Sequence, residues 1–121
     1  MKKLAIFGSG GFAKELVDLA IDQGYRHIFF LERNAKDGDT LLGFPILPES
    51  AISTLTDTVY AIGVADPKIR KRIYEAYPDL PYPNLVHSQS SLGYGIRDSL
   101  EHSKGVVIAA GARITNSCRF G

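Results

Sequence analysis

A glycine cluster near the start of the sequence has the residue types and spacing suited to binding an anion. Residues 8–13 read Gly-Ser-Gly-Gly-Phe-Ala, the alanine-ended form of the dinucleotide-binding fingerprint. A turn of this kind directs free backbone N–H groups at one point, where they can hold a phosphate. Gly8 permits a tight turn, Gly10 lets the backbone approach an anion, and Ala13 is small where a helix would meet a sheet.

The segments on either side of the cluster are the ones that this chemistry requires. Residues 4–7 form a continuous apolar run, which is typical of a buried parallel strand. From Gly11 onward, apolar residues recur at helical spacing. The order strand, glycine turn, helix therefore predicts a nucleotide or phosphate ligand. The alternative is a glycine turn that serves only tight packing.

Two further positions stand where a parallel sheet would present them to a ligand. Glu32 follows the apolar segment 27–31 and lies about 20 residues after the glycine turn, where a dinucleotide fold places the acid that binds a ribose hydroxyl. The other interpretation of Glu32 is a solvated strand end. Gly63 lies near the end of the strand predicted over 57–64, on the edge where open parallel sheets bind ligands.

The remaining elements of the first half can also be predicted. Residues 41–48 contain two prolines and allow a short edge strand or an extended segment, and 49–55 favour a short helix. A second helix should start with Asp66 as N-cap and Pro67 at its first position. Its apolar residues are expected to face the sheet: Ile69, Ile73 and Ala76. Its basic residues are expected to face water: Lys68, Lys71 and Arg72. The proline-rich connector 77–84 is a candidate domain boundary.

The periodicity changes beyond residue 85. Apolar residues recur at every sixth position, and small residues follow them at the same interval: Ile108, Ile114 and Phe120, with Ala112 and Cys118. This repeat is typical of a parallel β-helix built from hexapeptides, with the polar stretch 97–105 as a loop insertion. A pair of apolar strands is the alternative. Solenoids need several repeats and a cap, so a longer parent protein is expected beyond Gly121.

Composition excludes several classes of function. The 121 residues are 45% hydrophobic and 22% charged, which predicts one ordinary globular domain, or one domain plus part of another. The 14 basic and 13 acidic residues are interspersed and give a net charge of +1, so we expect no nucleic-acid partner and no membrane insertion. The single cysteine, Cys118, excludes an internal disulfide and favours a reducing cytoplasm.

The motifs occur in one order along nearly the whole chain: 8–15, 43–47, 61–63, Arg70, 86–88 and 107–112. Together they resemble the bacterial sugar O-acyltransferase family, which includes sialic acid O-acetyltransferases and the N-acetyltransferases of UDP-4-amino-sugars. The resemblance implies an α/β fold. A Rossmann-like parallel sheet with flanking helices, the nucleotide-sugar-binding domain, would span 1–84, and the first part of a left-handed parallel β-helix would span 85–121.

The resemblance also implies a function for the parent protein. It would be an acetyl-CoA-dependent acetyltransferase that acts on a nucleotide-linked amino sugar or sialic acid in bacterial surface-glycan synthesis. This portion would bind the sugar nucleotide, for example a UDP-amino-sugar, through eight positions: Gly8, Ser9, Gly10, Gly11, Phe12, Glu32, Ile62 and Gly63. Glu32 replaces an aspartate often found in the family, and Phe12 stands where relatives frequently have histidine, so a polar contact of that side chain is lost here.

The family's catalytic base is a β-helix histidine that would deprotonate the sugar amine or hydroxyl as it attacks the acetyl-CoA thioester. We expect it beyond Gly121, so no catalytic residue and no metal ligand is assigned here, and the 121-residue chain should bind without transferring acetyl groups. His27 and His87 are interpreted as structural and His102 as exposed. The whole protein should be a cytoplasmic homotrimer, and this piece a monomer or weak dimer.

Two other functions remain as alternatives. The first is an NAD(P)-binding oxidoreductase module, which the glycine turn and Glu32 would fit, although too few strands precede the repeat for a full dinucleotide fold. The second is a non-catalytic module that only binds sugar nucleotides.

Overall fold

A five-stranded sheet, parallel except for its antiparallel edge strand, forms the centre of the fold. The computed structural model describes residues 2–92, 105–108 and 113–114. Five strands make up the sheet in the order β3-β4-β2-β1-β5. Their bounds are β1 Lys3–Phe7, β2 Ile28–Glu32, β3 Thr40–Leu41, β4 Phe44–Pro48 and β5 Thr58–Ile62. Because β1 pairs in parallel with both β2 and β5, and β2 pairs in parallel with β4, the predicted Rossmann-like topology is confirmed.

Two α-helices and a 3₁₀ helix flank the sheet. They are α1 Gly11–Asp22, α2 Pro67–Ala76 and the 3₁₀ helix Glu49–Ser53. The core has two layers, one on each face of the sheet. The layer under α1 includes Leu4, Ile6, Leu16, Phe30 and Leu85. The layer under α2 includes Phe7, Leu31, Tyr60, Ile62, Ile73 and Tyr82. Burial on both faces explains why the strand sequences are continuous apolar runs.

The α1 helix ends at a glycine, as predicted. Gly24 has a φ of +96°, which favours glycine. The N–H of Gly24 donates to the carbonyl of Ile21, and that of Tyr25 donates to the carbonyl of Ala20, each at 3.0 Å. These two bonds form a Schellman motif, which satisfies carbonyl groups that the helix end would leave free.

The orientation of α2 differs from the prediction. Ile73 is 3% exposed, but Ile69 is 39% exposed, and Ala76 is also exposed. The helix turns a different side to the sheet because Nη1 of Arg70 donates to the carbonyls of Ile62 (3.0 Å) and Val64 (3.2 Å). This arginine holds its own side of the helix against the end of β5.

The segment 41–48 forms a tight hairpin and not the short edge strand or extended segment predicted. Leu42 and Gly43, with φ values of +53° and +81°, form the two-residue turn between β3 and β4. Positive φ at both turn positions is the geometry that matches the twist of paired strands. The edge strand is therefore β3, and β4 lies inside the sheet beside β2.

The connector 77–84 is packed against the sheet. The N–H of Tyr60 donates to the carbonyl of Pro81 at 2.9 Å, which covers the outer edge of β5. Tyr82 is 4% exposed, and its hydroxyl donates to the carbonyl of Tyr77 at 2.8 Å. A domain boundary at 84/85 stays a prediction, and Leu85 belongs to the core layer under α1.

In the described residues after the connector there are four two-residue strands: β6 Leu85–Val86, β7 Ser91–Leu92, β8 Val107–Ile108 and β9 Arg113–Ile114. The pairs β6–β8 and β7–β9 are both parallel, and partners lie 22 residues apart in each pair (85 with 107, 91 with 113). Strands β6 and β7 begin six residues apart, as do β8 and β9, which fits the six-residue repeat. The offset of 22 between partners is not a multiple of six, as expected if a loop is inserted between them, and the β-helix stays a prediction. Several predicted features lie outside the described residues: the loop 97–104, His102, Ala112, Cys118 and Phe120.

Candidate nucleotide site

The glycine turn adopts the geometry that its sequence predicts. Gly8 has a φ of +100°, and its N–H donates to the carbonyl of Leu31 at 2.9 Å. A Cβ on Gly8 would also meet Cγ2 of Val64 at 2.8 Å, so both the positive φ and the lack of space for a side chain require glycine here. Around Gly10, in contrast, a Cβ would find no atom of the described residues within 4 Å. Nothing in the described part of the chain fills the space beside Gly10, so an anion can approach there.

The amino ends of the two α-helices differ in a way that bears on ligand binding. Oδ1 of Asp66 accepts hydrogen bonds from the N–H groups of Lys68 (2.8 Å) and Ile69 (3.4 Å), so its carboxylate closes the start of α2. The N-cap of α1 is Gly10, which has no side chain to accept a bond, and the first turn carries no acidic residue. The N–H groups at the start of α1 therefore have no side-chain cap and remain suited to an anion.

A hydrogen bond joins the glycine turn to the end of β2. The hydroxyl of Ser9 donates to Oε1 of Glu32 at 2.8 Å, and both residues are half-buried. Glu32 is the last residue of β2, so its predicted place at the end of the second strand is confirmed. The bond fixes one carboxylate oxygen beside the glycine turn and leaves the other oxygen available to a ligand hydroxyl or N–H.

A cleft of about 330 Å³ opens at the carboxyl ends of β1, β2 and β5. This is within the size range of small-molecule sites, and ligands of open α/β sheets bind at this edge. Apolar side chains from the strand ends and from α2 form much of its wall: Phe7, Leu31, Val64, Ile69 and Ile73. Polar groups line the rest: Glu32, Arg33, Asn34, Glu49 and Arg72.

The eight residues assigned by resemblance occupy different surroundings. Gly8 and Glu32 line the cleft, while Ser9 contacts Glu32 from the turn. Gly10 and Gly11 are exposed at the start of α1. The side chain of Phe12 packs against the core layer under α1, so only its backbone faces the turn region.

Ile62 and Gly63 are buried, which limits what they can offer a ligand. Ile62 is 4% exposed and belongs to the core layer under α2. A Cβ on Gly63 would lie 2.6 Å from Cγ2 of Ile6 and 2.9 Å from Cα of Ala13. Gly63 therefore lets α1 pack closely on the sheet, and Ala13 is small for the same reason.

Four cleft residues were missed by sequence reasoning or given other roles. Arg33 and Asn34 appeared to be loop residues, and Glu49 the start of a short helix. Arg72 was assigned to a solvated face, but it is half-buried and lines the cleft. Arg70 and Arg72 lie on nearly opposite sides of a helical wheel, so no local signal in the sequence places Arg72 beside the strand ends.

The histidines of the described residues lie away from the cleft. His27 is exposed just before β2. Nε2 of His87 lies 3.5 Å from Oδ1 of Asp22, and Nδ1 of His87 accepts a bond from the N–H of Gln89. Both ring nitrogens are engaged at the carboxyl end of α1, which fits the predicted structural role. Within the described ranges, no cluster of three or more acidic, histidine or cysteine side chains could hold a metal ion.

The glycine turn, the uncapped helix and the acid at the end of β2 are features of a Rossmann-like α/β domain. Residues 3–77 match the family model of the PglD N-terminal domain, so the chain belongs to this family. The predicted relation to the N-terminal portion of sugar acetyltransferases is thereby confirmed. No curated protein matches the sequence significantly.

Solved structures share the fold. The acetyltransferase domain of PglB from Neisseria gonorrhoeae FA1090 is 26% identical with a TM-score of 0.74, covering 93% of this chain and 56% of that one. The same domain in complex with acetyl coenzyme A is 25% identical with a TM-score of 0.73, covering 93% of this chain and 55% of that one. A mutant perosamine N-acetyltransferase from Caulobacter crescentus, in complex with CoA and GDP-perosamine, is 19% identical with a TM-score of 0.73, covering 94% and 54%.

The chain thus spans about half the length of the solved structures that it matches. The match at 19% identity shows a shared fold alone. Among the described residues, neither α-helix has the length and apolar character needed to cross a bilayer.

Proposed function

We propose that this domain binds a nucleotide-linked amino sugar and that the whole protein transfers an acetyl group to it from acetyl-CoA. The observation that carries the proposal is the uncapped amino end of α1 beside Gly10, which contrasts with the amino end of α2, capped by Asp66. Backbone N–H groups from Gly10 to Phe12 would hold the diphosphate. The membership in the PglD N-terminal domain family supports the sugar-nucleotide class of ligand.

The nucleoside would lie along the strand ends. From the glycine turn the cleft leads past Gly8 to Glu32, whose free oxygen suits a ribose hydroxyl or a base N–H. The apolar wall formed by Leu31, Val64 and Ile69 would receive the face of the base. Ile62 and Gly63 would support this wall from below, because both are buried.

The sugar would extend from the diphosphate away from the cleft, toward the second part of the protein. There a general base would take a proton from the sugar amine or hydroxyl as it attacks the thioester of acetyl-CoA. Acetyl-CoA as donor is supported by the relatives solved with acetyl-CoA or CoA. A homotrimer in the cytoplasm is part of the same proposal for the whole protein.

Calorimetric titration tests the binding step. The chain is titrated with UDP, a UDP-4-amino-sugar, CMP-sialic acid and NADH, and the titrations are repeated with Gly10→Val. A β-branched side chain at Gly10 occupies the space beside the turn without meeting protein atoms, so it should remove binding and leave the fold intact.

Saturable binding of UDP or its amino-sugar, lost in Gly10→Val, is the expected result. Preference for CMP-sialic acid would redirect the proposal to O-acetylation of sialic acid. Binding of NADH alone, or of no ligand, would overturn it.

A further inference from the structure

We propose that Arg72 determines which nucleobase this domain accepts, by donating hydrogen bonds to an exocyclic carbonyl oxygen of the base. The inference rests on the proposed function, because it assumes that a nucleoside occupies the cleft. Arg72 lies on α2, lines the cleft together with residues at the end of β2, and is half-buried.

The other cations of α2 are engaged elsewhere or face solvent. Arg70 donates to the carbonyls at the end of β5. Lys71 pairs with Glu75 at 3.8 Å, and its side chain is 77% exposed. Lys68 is exposed and does not line the cleft. Arg72 is the cation of this helix that combines partial burial with a place in the cleft wall.

The charges of the cleft leave Arg72 without a protein partner. Nε of Arg33 pairs with Oε2 of Glu49 at 3.2 Å, so the charges of these two residues compensate each other. Oε1 of Glu32 accepts a bond from Ser9. Within the described residues, Arg72 makes no hydrogen bond or ion pair, although it shares the cleft with both acids. A half-buried guanidinium without a partner among these residues keeps its N–H donors available to an acceptor on a ligand.

The position of Arg72 favours the base over the phosphates as its partner. The residues suited to the diphosphate, Gly10 and Gly11, do not line the cleft, whereas Gly8 marks the end where the cleft meets the turn. Arg72 instead shares the cleft with Glu32 and the apolar wall, where the nucleoside would lie.

Glu32 and Arg72 together offer an acceptor and a donor to the edge of a base. A lactam edge, in which a ring N–H adjoins a carbonyl, presents the matching donor and acceptor. Uracil and guanine carry this edge, whereas adenine carries no exocyclic carbonyl. The inferred class of ligand is therefore a uridine or guanosine diphosphate sugar.

The test compares ligands that share a diphosphate but differ in the base. Wild type, Arg72→Gln and Arg72→Lys are titrated with UDP, GDP, ADP and inorganic pyrophosphate. Lys71→Gln is the matched control, because it removes the same charge from the neighbouring position, and Lys71 pairs with the exposed Glu75. Circular dichroism melting of each variant establishes that it is folded.

A specific base contact is worth roughly 1–3 kcal/mol of discrimination, or about 5- to 150-fold in affinity. Arg72→Gln should therefore weaken the better of UDP and GDP by about tenfold, and change ADP and pyrophosphate by less than about twofold. Arg72→Lys should recover part of the loss, because it keeps the charge without the planar fork. Lys71→Gln should bind like wild type.

Equal losses for all the ligands in Arg72→Gln would place the guanidinium on the phosphates and overturn the inference. Unchanged binding of UDP and GDP in that variant would overturn it as well, with the proposed function intact. A folded wild-type chain that binds none of the ligands would overturn the proposed function, and the inference with it.

Discussion

The hydroxyl of Ser9 donates a 2.8 Å hydrogen bond to Oε1 of Glu32, which lies 23 residues further along the chain. The bond links the turn after β1 to the end of β2, so the two elements that flank the cleft hold each other in place. A ligand that contacts the phosphate turn and Glu32 at the same time would meet groups that are already oriented. Pre-orientation of this kind lowers the entropy lost on binding.

Removing that hydroxyl tests its part in the site. Ser9→Ala should weaken UDP binding by roughly 2- to 10-fold, because an intramolecular hydrogen bond of this kind is worth about 0.5–1.5 kcal/mol. The affinity is measured by calorimetry. Ser53→Ala serves as the control, since the Ser53 hydroxyl makes only a local bond to the carbonyl of Ser50. Equal affinity in Ser9→Ala and wild type would show that the bond does not organise the site.

Substitution of Gly10 should mainly affect nucleotide binding, whereas substitution of Gly63 should mainly affect stability. Gly10→Ala should lower the free energy of unfolding by less than about 1 kcal/mol, because the Cβ has open space, yet it should weaken nucleotide binding. Gly63→Ala should lower the free energy of unfolding by about 1–3 kcal/mol, because its Cβ would meet the backbone of Ala13 at 2.9 Å. Urea denaturation measures both. A stable Gly63→Ala would contradict the close packing of α1 on the sheet.

Asp22 should make the fold sensitive to acid. Its carboxylate accepts bonds from the hydroxyl (2.7 Å) and the N–H (2.9 Å) of Ser88, and these bonds, with smaller contributions from Gln23 and His87, hold its pKa below the ordinary 3.8. A pKa lowered by folding stabilises the protein above pH 3.8 and loses that effect as the pH falls below it. Replacement by asparagine removes the titrating group and so removes this pH dependence.

The free energy of unfolding of wild type and Asp22→Asn is measured from pH 6 to about pH 3 by chemical denaturation. The advantage of wild type should be largest near pH 6 and should shrink in the most acid samples. Asp18→Asn, an exposed position of the same helix, controls for loss of a carboxylate. A difference between wild type and Asp22→Asn that stays constant across this range would argue against the carboxylate clamp.

Ionisation of Tyr82 should lower the stability of the fold at alkaline pH. Burial, with smaller contributions from Tyr74, Tyr60 and Tyr77, raises the pKa of Tyr82 from 10.0 to about 12. A raised pKa of this acid leaves the stabilisation complete below pH 10 and removes it as the pH rises toward 12. Tyr82→Phe should be about 1 kcal/mol less stable near neutral pH, because it loses the bond to Tyr77, and the difference should narrow above pH 10.

Urea denaturation at several pH values between 8 and about 11.5 measures this effect. The control is Tyr74→Phe, which removes a hydroxyl from the neighbouring ring, 5.0 Å away between centroids. If the free energy of unfolding changed with pH in the same way in wild type and Tyr82→Phe, the loss of stability at high pH could not be due to Tyr82.

The sequence predicted the elements whose signals are local. The apolar run before Gly8, the helix after it, the glycine at position 24 and the cap at Asp66 each depend on a few neighbouring residues, and each is confirmed. The hairpin at Leu42 was missed because its turn begins with leucine, which rarely adopts a positive φ, and not with the asparagine or aspartate typical of such turns.

The features that depend on distant partners could not be predicted. The side of α2 that faces the sheet is set by the bonds of Arg70 to carbonyls of β5 and the following loop. The place of Arg72 in the cleft depends on how α2 packs beside the strand ends, which no local pattern in the sequence gives. The bond between Ser9 and Glu32 depends on the parallel pairing of β1 and β2, although both residues were assigned to the site individually.

One helix connects the proposed phosphate site to the first strand of the second part. α1 begins at Gly11 and ends at Asp22, whose carboxylate binds Ser88 just after β6. Its 12 residues form an unbroken rod about 18 Å long. We therefore expect a ligand that displaces the amino end of α1 to alter the Asp22–Ser88 contact at its other end.

Hydrogen exchange of the Ser88 amide, measured with and without UDP, reports this coupling directly. Greater protection with UDP is expected, and an unchanged exchange rate under saturating UDP would disprove the coupling. Because coupling free energies are reciprocal, whatever secures residues 86–88 should also tighten nucleotide binding. The two halves of the chain would then communicate along a helix axis, with no need for a flexible hinge between them.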